Sequence, residues 1–390
     1  YAILYADGEL VFQNGAAPES GRTVMKTYPV DLNAVYTGFP SSYTPWNNER
    51  ESVRVVNFAD KISPTSTVRW FYACSNLERV DNIHNLDTTN VQDMSYMFKD
   101  FKRMKIFDLT NFKTNHVNSM ESMFEGCEDL TSVNLANFDF SEVESMKAMF
   151  KGDIRLERVI FGNDMDTRYL RNMEEMFYMC NSIQSLDLTK INTKNVITMD
   201  NLFRDCINLS DLKISNFNTE NVISMSYMFY NCSSLKDLNI THFDFSKTNT
   251  ISKMFYNCNI LQNIQISFSS AESITEIDNL FNGCSSLTSL DLSSLTTTYV
   301  SDFSGIFNGC SSLNELKIKF NTENAVIMDK MFANCKSLKS LDITSFNAGN
   351  CQNFTDMFLN DENMELYYKS NYFPESQIPD YIKRHDMKDN

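Results

Sequence analysis

Met228-Phe229-Tyr230-Asn231-Cys232-Ser233-Ser234-Leu235-Lys236-Asp237-Leu238-Asn239-Ile240 is the stretch whose reading decides the fold. Its Phe returns as Phe71, Phe98, Phe124, Phe150, Phe177, Phe203, Phe255, Phe281, Phe307, Phe332 and Phe358, at gaps of 25, 26 or 27 residues. A fixed period of this size means stacked supersecondary units, each of which buries its apolar face only against its neighbours. Two shorter periods run inside each repeat. Leu238-Asn239-Ile240 and Leu290-Asp291-Leu292 alternate apolar with polar, as a strand with one buried face does. Val222, Met225, Met228 and Phe229 fall at i, i+3, i+6 and i+7, which predicts a short helix. Between them, Phe217-Asn218-Thr219-Glu220-Asn221 reads as a polar turn whose Asn and Thr cap that helix.

One repeat is therefore expected to be strand, turn, short helix, turn. The fold class is an α/β solenoid, a right-handed coil of about twelve 26-residue units. Its strands form a parallel sheet on one wall, expected to be concave, and its helices form the other. The repeats span 64–365. Residues 1–63 do not repeat and read as a β-rich N-terminal cap. Ile3 and Tyr5 alternate into an Asp7-Gly8 turn, Leu10 and Phe12 alternate back, and Ser52–Phe58 is a further strand candidate. Pro18, Gly38, Pro40 and Pro45 mark loops. Trp70 stands where later repeats mostly carry Met, Leu or Ile, and can seal the open end. Residues 366–390 turn polar and read as a C-terminal cap or tail.

The chain carries a net charge of −16 and a pI near 4.7, which argues against nucleic acid and anionic membrane as direct partners. No apolar run reaches the length of a membrane span. The chain opens at Tyr1 without an initiator Met, which reads as a trimmed start.

Nine of the ten cysteines sit three residues after a repeat Phe, and Cys351 takes the slot that Val222 and Val300 hold. In-register stacking sets neighbouring thiols parallel, which is poor disulfide geometry, so they read as small buried hydrophobes. Asp153 and Asp361 occupy the same slot in their repeats. Phosphate-cradling glycine loops, nucleophile elbows and metal-ligand spacings are absent from the sequence, and His84, His116, His242 and His385 are scattered. The reading is non-enzymatic, with no cofactor and no metal.

Two surfaces are candidates for ligand contact. The strand wall presents Asp187, Asp211, Lys213, Asp237 and Asp291 in outward rows. The helix side gathers Tyr227, Tyr230 and Tyr256.

The pattern Met-Phe-x-x-Cys-x-x-Leu-x-x-Leu-x-Leu-x-x-Phe-x-Thr-x-x-Val-x-x-Met resembles the BspA-like leucine-rich repeats of bacterial surface proteins. Met228, Phe229, Cys232, Leu235, Leu238 and Ile240 carry its first half; Phe217, Thr219, Val222 and Met225 carry its second. The entry segment Pro64–Cys74 is similar to that family's first repeat. The irregular stretch around Gly162–Leu170 departs from the pattern. The resemblance implies an exported, surface-displayed protein that binds host or neighbouring-cell proteins, matrix proteins among them. Alternatives are a glycan- or nutrient-binding surface protein, or a spacer that projects other domains. It supplies no catalytic residues.

Overall fold

The computed structural model describes residues 1–36, 43–163, 165–269 and 271–388. Gly38 and Pro40 lie outside these. The chain forms two compact units, residues 1–195 and 196–390.

In the first unit, β1 (Ala2–Tyr5) and β2 (Glu9–Phe12) form the expected hairpin, with Ile3 opposite Val11 and Leu4 opposite Leu10. Gly8 turns it at φ +88, and a Cβ there would meet the Ser52 carbonyl. β3 (Val24–Tyr28) joins β1 antiparallel. β4 (Val55–Phe58) and β5 (Arg79–Asp81) add to β2 in parallel. The five strands make one sheet in the order β3-β1-β2-β4-β5. Trp70 lies stacked on Phe12 at 5.6 Å, edge-on to Trp46 and Phe71, and its carbonyl accepts the Trp46 indole N–H at 2.7 Å. β6 (Ser132–Leu135), β7 (Arg158–Phe161) and β8 (Ser185–Asp187) follow.

The second unit holds β9 (Asp211–Lys213), β10 (Asp237–Ile240), β11 (Asn263–Ile266), β12 (Ser289–Leu292), β13 (Glu315–Ile318), β14 (Ser340–Asp342), β15 (Glu365–Tyr368) and β16 (Lys383–Asp386). β10 pairs with β11 and β12 with β13, in parallel and one 26-residue repeat out of step, so Leu238 lies beside Ile264 and Asp291 beside Lys317. The repeat Phe rings form a column inside each unit. In the second, Phe203, Phe229, Phe255, Phe281, Phe307, Phe332 and Phe358 stack at centroid spacings of 5.1–6.3 Å. All of these rings are at most 1% exposed.

The helix reading of Val222–Phe229 is corrected. Short 3₁₀ turns apart, the described residues contain no helix, and the second wall is a run of consecutive turns. Hydrogen bonding explains why. An α-helix keeps its N–H groups for its own chain. Here alternate groups go to the next coil: Met225, Tyr227, Phe229 and Asn231 donate to the Thr250, Ser252, Met254 and Tyr256 carbonyls at 2.7–3.1 Å. Between them, the Met228 and Tyr230 N–H groups close four-residue turns onto the Met225 and Tyr227 carbonyls. Two left-handed residues per coil make this possible, Tyr227 (φ 59) and Asn231 (φ 57) in this one. A segment of two turns has little helical stability of its own, so bonding between coils wins. The apolar spacing of 3 and 4 is met equally by such turns.

The Thr219 cap is corrected for the same reason. Its hydroxyl is buried, donates to the Asp244 carbonyl at 2.9 Å and accepts the Asp244 N–H at 2.7 Å, tying one coil to the next. Thr88, Thr114 and Thr322 make the same pair of hydrogen bonds to the Lys113, Asp139 and Asn347 backbones, donating to the carbonyl and accepting the N–H.

The strand wall differs from a continuous sheet. Within the second unit its ladders are β10–β11, β12–β13 and β14–β15–β16, with no ladder from β11 to β12 or from β13 to β14. The inward Ile264 and Ile266 of β11 stay half-exposed beside their gap, while Leu238 and Ile240 of β10 are buried.

Candidate functional site

The turn wall carries two outward positions per coil, two residues before the repeat Phe and one after it. Their side chains interlock between coils. In the second unit the Arg204 guanidinium lies over the Tyr227 ring at 5.1 Å and the Tyr230 ring at 4.8 Å. Tyr230 stacks on Tyr256 at 4.8 Å with planes 7° apart, and Lys253 sits 5.3 Å over Tyr227 while pairing with Asp278 at 2.6 Å. Such cation–ring contacts contribute about 0.5–1 kcal/mol each at exposed sites. Burial works against the Lys253 charge, yet the Asp278 carboxylate holds its pKa above the ordinary value. Burial likewise opposes ionisation of Asp278, but Lys253, Ser252 and Asn279 hold it low. Burial, then the neighbouring Tyr256, raises the Tyr230 phenol. The first unit repeats the device with Arg69 over Tyr96 at 4.2 Å and Lys99 paired to Glu125 at 2.7 Å.

The structure thus brings Tyr227, Tyr230 and Tyr256 together as expected, but in contact with one another and with two cations. Arg204 and Lys253 were not anticipated. The sequence signal for this zipper was available: the position two residues after the repeat Phe is Asn, Asp or Gly in ten coils, Asn231, Asp205 and Gly283 among them, and every one has positive φ. That pattern marks a left-handed turn.

On the strand wall, Asp187 lies in the first unit, and Asp211, Lys213, Asp237 and Asp291 in the second. All five are exposed. Register fixes their neighbours: Asp237 lies beside Asn263, whose amide donates to it at 2.5 Å, and Asp291 beside Lys317. The Asp291 carboxylate accepts the Ser293 hydroxyl at 2.6 Å and the Ser293 N–H at 2.9 Å, which hold its pKa below the usual range. His84, His116 and His242 are exposed turn residues, and His385 stacks on Tyr367 at 4.6 Å. Among the described residues no group of three His, Cys, Asp or Glu is placed to hold a metal ion, and no helix is long and apolar enough to cross a membrane.

All ten cysteines are free thiols, nine of them buried. Each buried thiol from Cys232 to Cys310 donates to the carbonyl of the repeat Phe one coil back, Cys258 to Phe229 at 3.0 Å for instance. Burial pushes the thiols of Cys74, Cys258 and Cys310 up to about 12.

The family described as "Mycoplasma protein of unknown function, DUF285" matches residues 65–186, 171–289 and 275–371. The chain belongs to this family. The DUF285 segments cover the run of Phe repeats and begin at the entry segment. No curated protein matches the chain. Among solved structures, a leucine-rich repeat protein from Bacteroides ovatus is 17% identical over 100% of this chain and 99% of its own, with a TM-score of 0.51, and shows the leucine-rich-repeat fold. A leucine rich cell surface protein from Faecalibacterium prausnitzii is also 17% identical, over 99% of this chain and 96% of its own, with a TM-score of 0.42.

Proposed function

We propose that this DUF285 chain is a non-enzymatic protein-binding module displayed at a cell surface, and that its strand wall makes the contact. One observation carries the reading. Parallel pairing one repeat out of step sets exposed polar side chains in a regular array at strand spacing, Asp237 beside Asn263, Asn239 beside Gln265, Ser289 beside Glu315. The turn wall spends its long side chains on its own cross-coil contacts and leaves less for a partner. Glycans would want an open aromatic face; the Tyr230 and Tyr256 faces are turned on each other. Partners of this kind are host or neighbouring-cell surface or matrix proteins that offer a basic patch.

The test is a binding screen against extracellular matrix proteins and glycans, followed by a variant with Asp211, Asp237 and Asp291 all replaced by Asn. Loss of the captured protein, with an unchanged melting curve, is expected. Affinity should also fall with salt, since exposed charges are screened over about 8 Å at physiological ionic strength. Full binding by the triple variant would overturn the strand-wall assignment, and a hit confined to glycans would overturn the protein-binding reading.

A further inference from the structure

Between β15 and β16 the chain closes the end of the stack with residues 369–382 in place of a further coil. The turn wall is poorly closed there. The coil of Phe332 gives the N–H groups of Lys330, Phe332 and Asn334 to the Thr355, Met357 and Leu359 carbonyls of the next coil, at 2.7–2.9 Å. In that next coil the equivalent N–H groups, of Asp356, Phe358 and Asn360, find no acceptor among the described residues. A cleft of about 290 Å³ lies in front of them, with Thr355, Met357 and Leu359 on one side and Gln377, Ile378 and Pro379 on the other. The closing segment is fastened near its start, where its Tyr372 carbonyl accepts the Ala348 N–H at 2.8 Å. Beyond that point, Phe373 lies edge-on to Phe354 at 5.7 Å and to Phe358 at 6.4 Å, and the Tyr381 hydroxyl donates to the Phe358 carbonyl at 2.8 Å. This last bond copies the regular stack, where Cys335 donates to the Phe307 carbonyl one coil back. Tyr381 thus stands in for the cysteine of a further coil, over the slot that Asp361 fills in its own.

We propose that residues 373–382 are a pH-sensitive lid, docked on the stack while Asp361 is protonated and released when Asp361 ionises. Asp361 is 1% exposed, and neither of its oxygens receives a hydrogen bond. The titratable groups around it are Cys335 of the preceding coil, Asp356 and Glu362 of its own coil and Tyr381 of the lid. All are acids, so none offers a carboxylate a positive partner. Arg384 of β16 is engaged by Glu375 and Asp380 of the lid. Burial, then the Asp361 carboxylate, raises the Tyr381 phenol, which sets the two side chains together where the lid makes its hydrogen bond to the coil. Asp153 shows the contrast. It occupies the same slot under a complete coil, whose Glu174, Met176 and Tyr178 carbonyls accept the Ala148, Phe150 and Gly152 N–H groups at 2.7–3.0 Å. The lid has one hydrogen bond and two ring contacts to the coil beneath it, so it can open while the stack stays folded. Burial moves the Asp361 carboxyl from the ordinary 3.8 up to about 7. Between those values the docked state keeps a proton that the open state releases. Opening therefore becomes up to about tenfold more favourable per pH unit across this window and is constant above it. It bares Phe354 and Phe358, the end of the apolar stack.

Hydrogen exchange of the full chain, corrected for the intrinsic rate at each pH, tests the lid. The Phe373, Ile378 and Ile382 amides are bonded in short turns that have little stability away from the stack. Their protection should fall about tenfold or more from pH 5 to pH 7 and then level off. Asp361→Asn and Asp361→Cys should each make it equal at the two pH values. The second restores the residue that nine other coils carry in this slot, so the stack tolerates it. Tyr381→Phe should lower lid protection at every pH and leave the slope between pH 5 and 7 unchanged. Level wild-type protection between pH 5 and 7, or a wild-type slope in both Asp361 variants, would overturn the proposal. So would an equal loss at the Phe229 and Phe255 amides, since the change would then belong to the whole unit and not to the lid.

Discussion

The Asp153 carboxylate accepts the Cys127 N–H at 2.7 Å, one coil back along the stack. It stands in the slot where most coils put a thiol. A thiol there needs one acceptor and finds it in the preceding Phe carbonyl; a carboxylate has two oxygens to satisfy in the same dry space. The second Asp153 oxygen and both oxygens of Asp361, which fills the slot near the C-terminal end, have no hydrogen-bond partner. Leaving such atoms buried costs about 1–3 kcal/mol, more when charged, so burial favours the protonated form.

Asp361 should make the protein less stable as pH rises. Burial moves its carboxyl from the ordinary 3.8 up to about 7. Between those values the folded chain holds a proton that the unfolded chain has released, so unfolding stability falls through this window and is flat above it. The shift corresponds to at most about 4 kcal/mol, at roughly 1.4 kcal/mol per pKa unit. Asp361→Asn should flatten the change in melting temperature between pH 4 and 7. A wild-type curve with the same pH slope as the variant would contradict this.

Nine thiols should be silent in the native state. Each is buried, and those whose pKa reaches about 12 hold almost no thiolate at neutral pH. Cys351, half-buried in a different slot, should react first with a thiol reagent, and denatured protein should titrate ten. Labelling of Cys258 in native protein at a rate near that of Cys351 would refute the burial argument.

The sequence carried the period, the Phe column, the buried cysteines and the outward strand rows, because each depends on the identity of a side chain at a fixed offset. It did not carry the choice between helix and turn. Val222, Met225 and Met228 satisfy both, and the deciding bonds run from Tyr227 to Ser252 and from Phe229 to Met254, between residues 25 apart. The broken strand wall was hidden for a similar reason. Nothing in Asn263–Ile266 or Ser289–Leu292 announces that these neighbours leave their edges unpaired. Of the candidate site, the tyrosine cluster was legible from the repeat spacing, and the cations that lock it were legible only once the left-handed turn is known.

Met179 should be replaceable with a gain in stability. It takes a left-handed conformation (φ 62) at the position that Asn231, Asn257, Asn334 and Asn360 hold in their coils, and its side chain is 39% exposed. A left-handed backbone costs an ordinary residue roughly 1–2 kcal/mol, and Asn less. Met179→Asn should stabilise the first unit by about 1 kcal/mol, read as a rise in its melting temperature. A fall would mean that the Met side chain contributes more through packing than its backbone loses.

The two faces of the strand wall should respond very differently to truncation. Leu238 points inward from β10, is 6% exposed and lies beside Ile264 of the next coil. Leu238→Ala removes buried methyl groups and leaves a cavity that the stacked coils on either side hold open, at a cost of about 2–5 kcal/mol. Asp291 points outward from β12, and Asn in its place keeps the oxygen that accepts the Ser293 N–H. Asp291→Asn should change stability by no more than roughly 0.5 kcal/mol. In a repeat stack each coil is stabilised chiefly by its neighbours, so the Leu238 loss should be local before it is global. Hydrogen exchange should therefore quicken most at the cross-coil amides nearest β10, such as Phe229 and Phe255, and least toward the C-terminal coils. Equal shifts from the two variants, or uniform quickening throughout residues 196–390, would show that the inward and outward faces of the strands have been assigned wrongly.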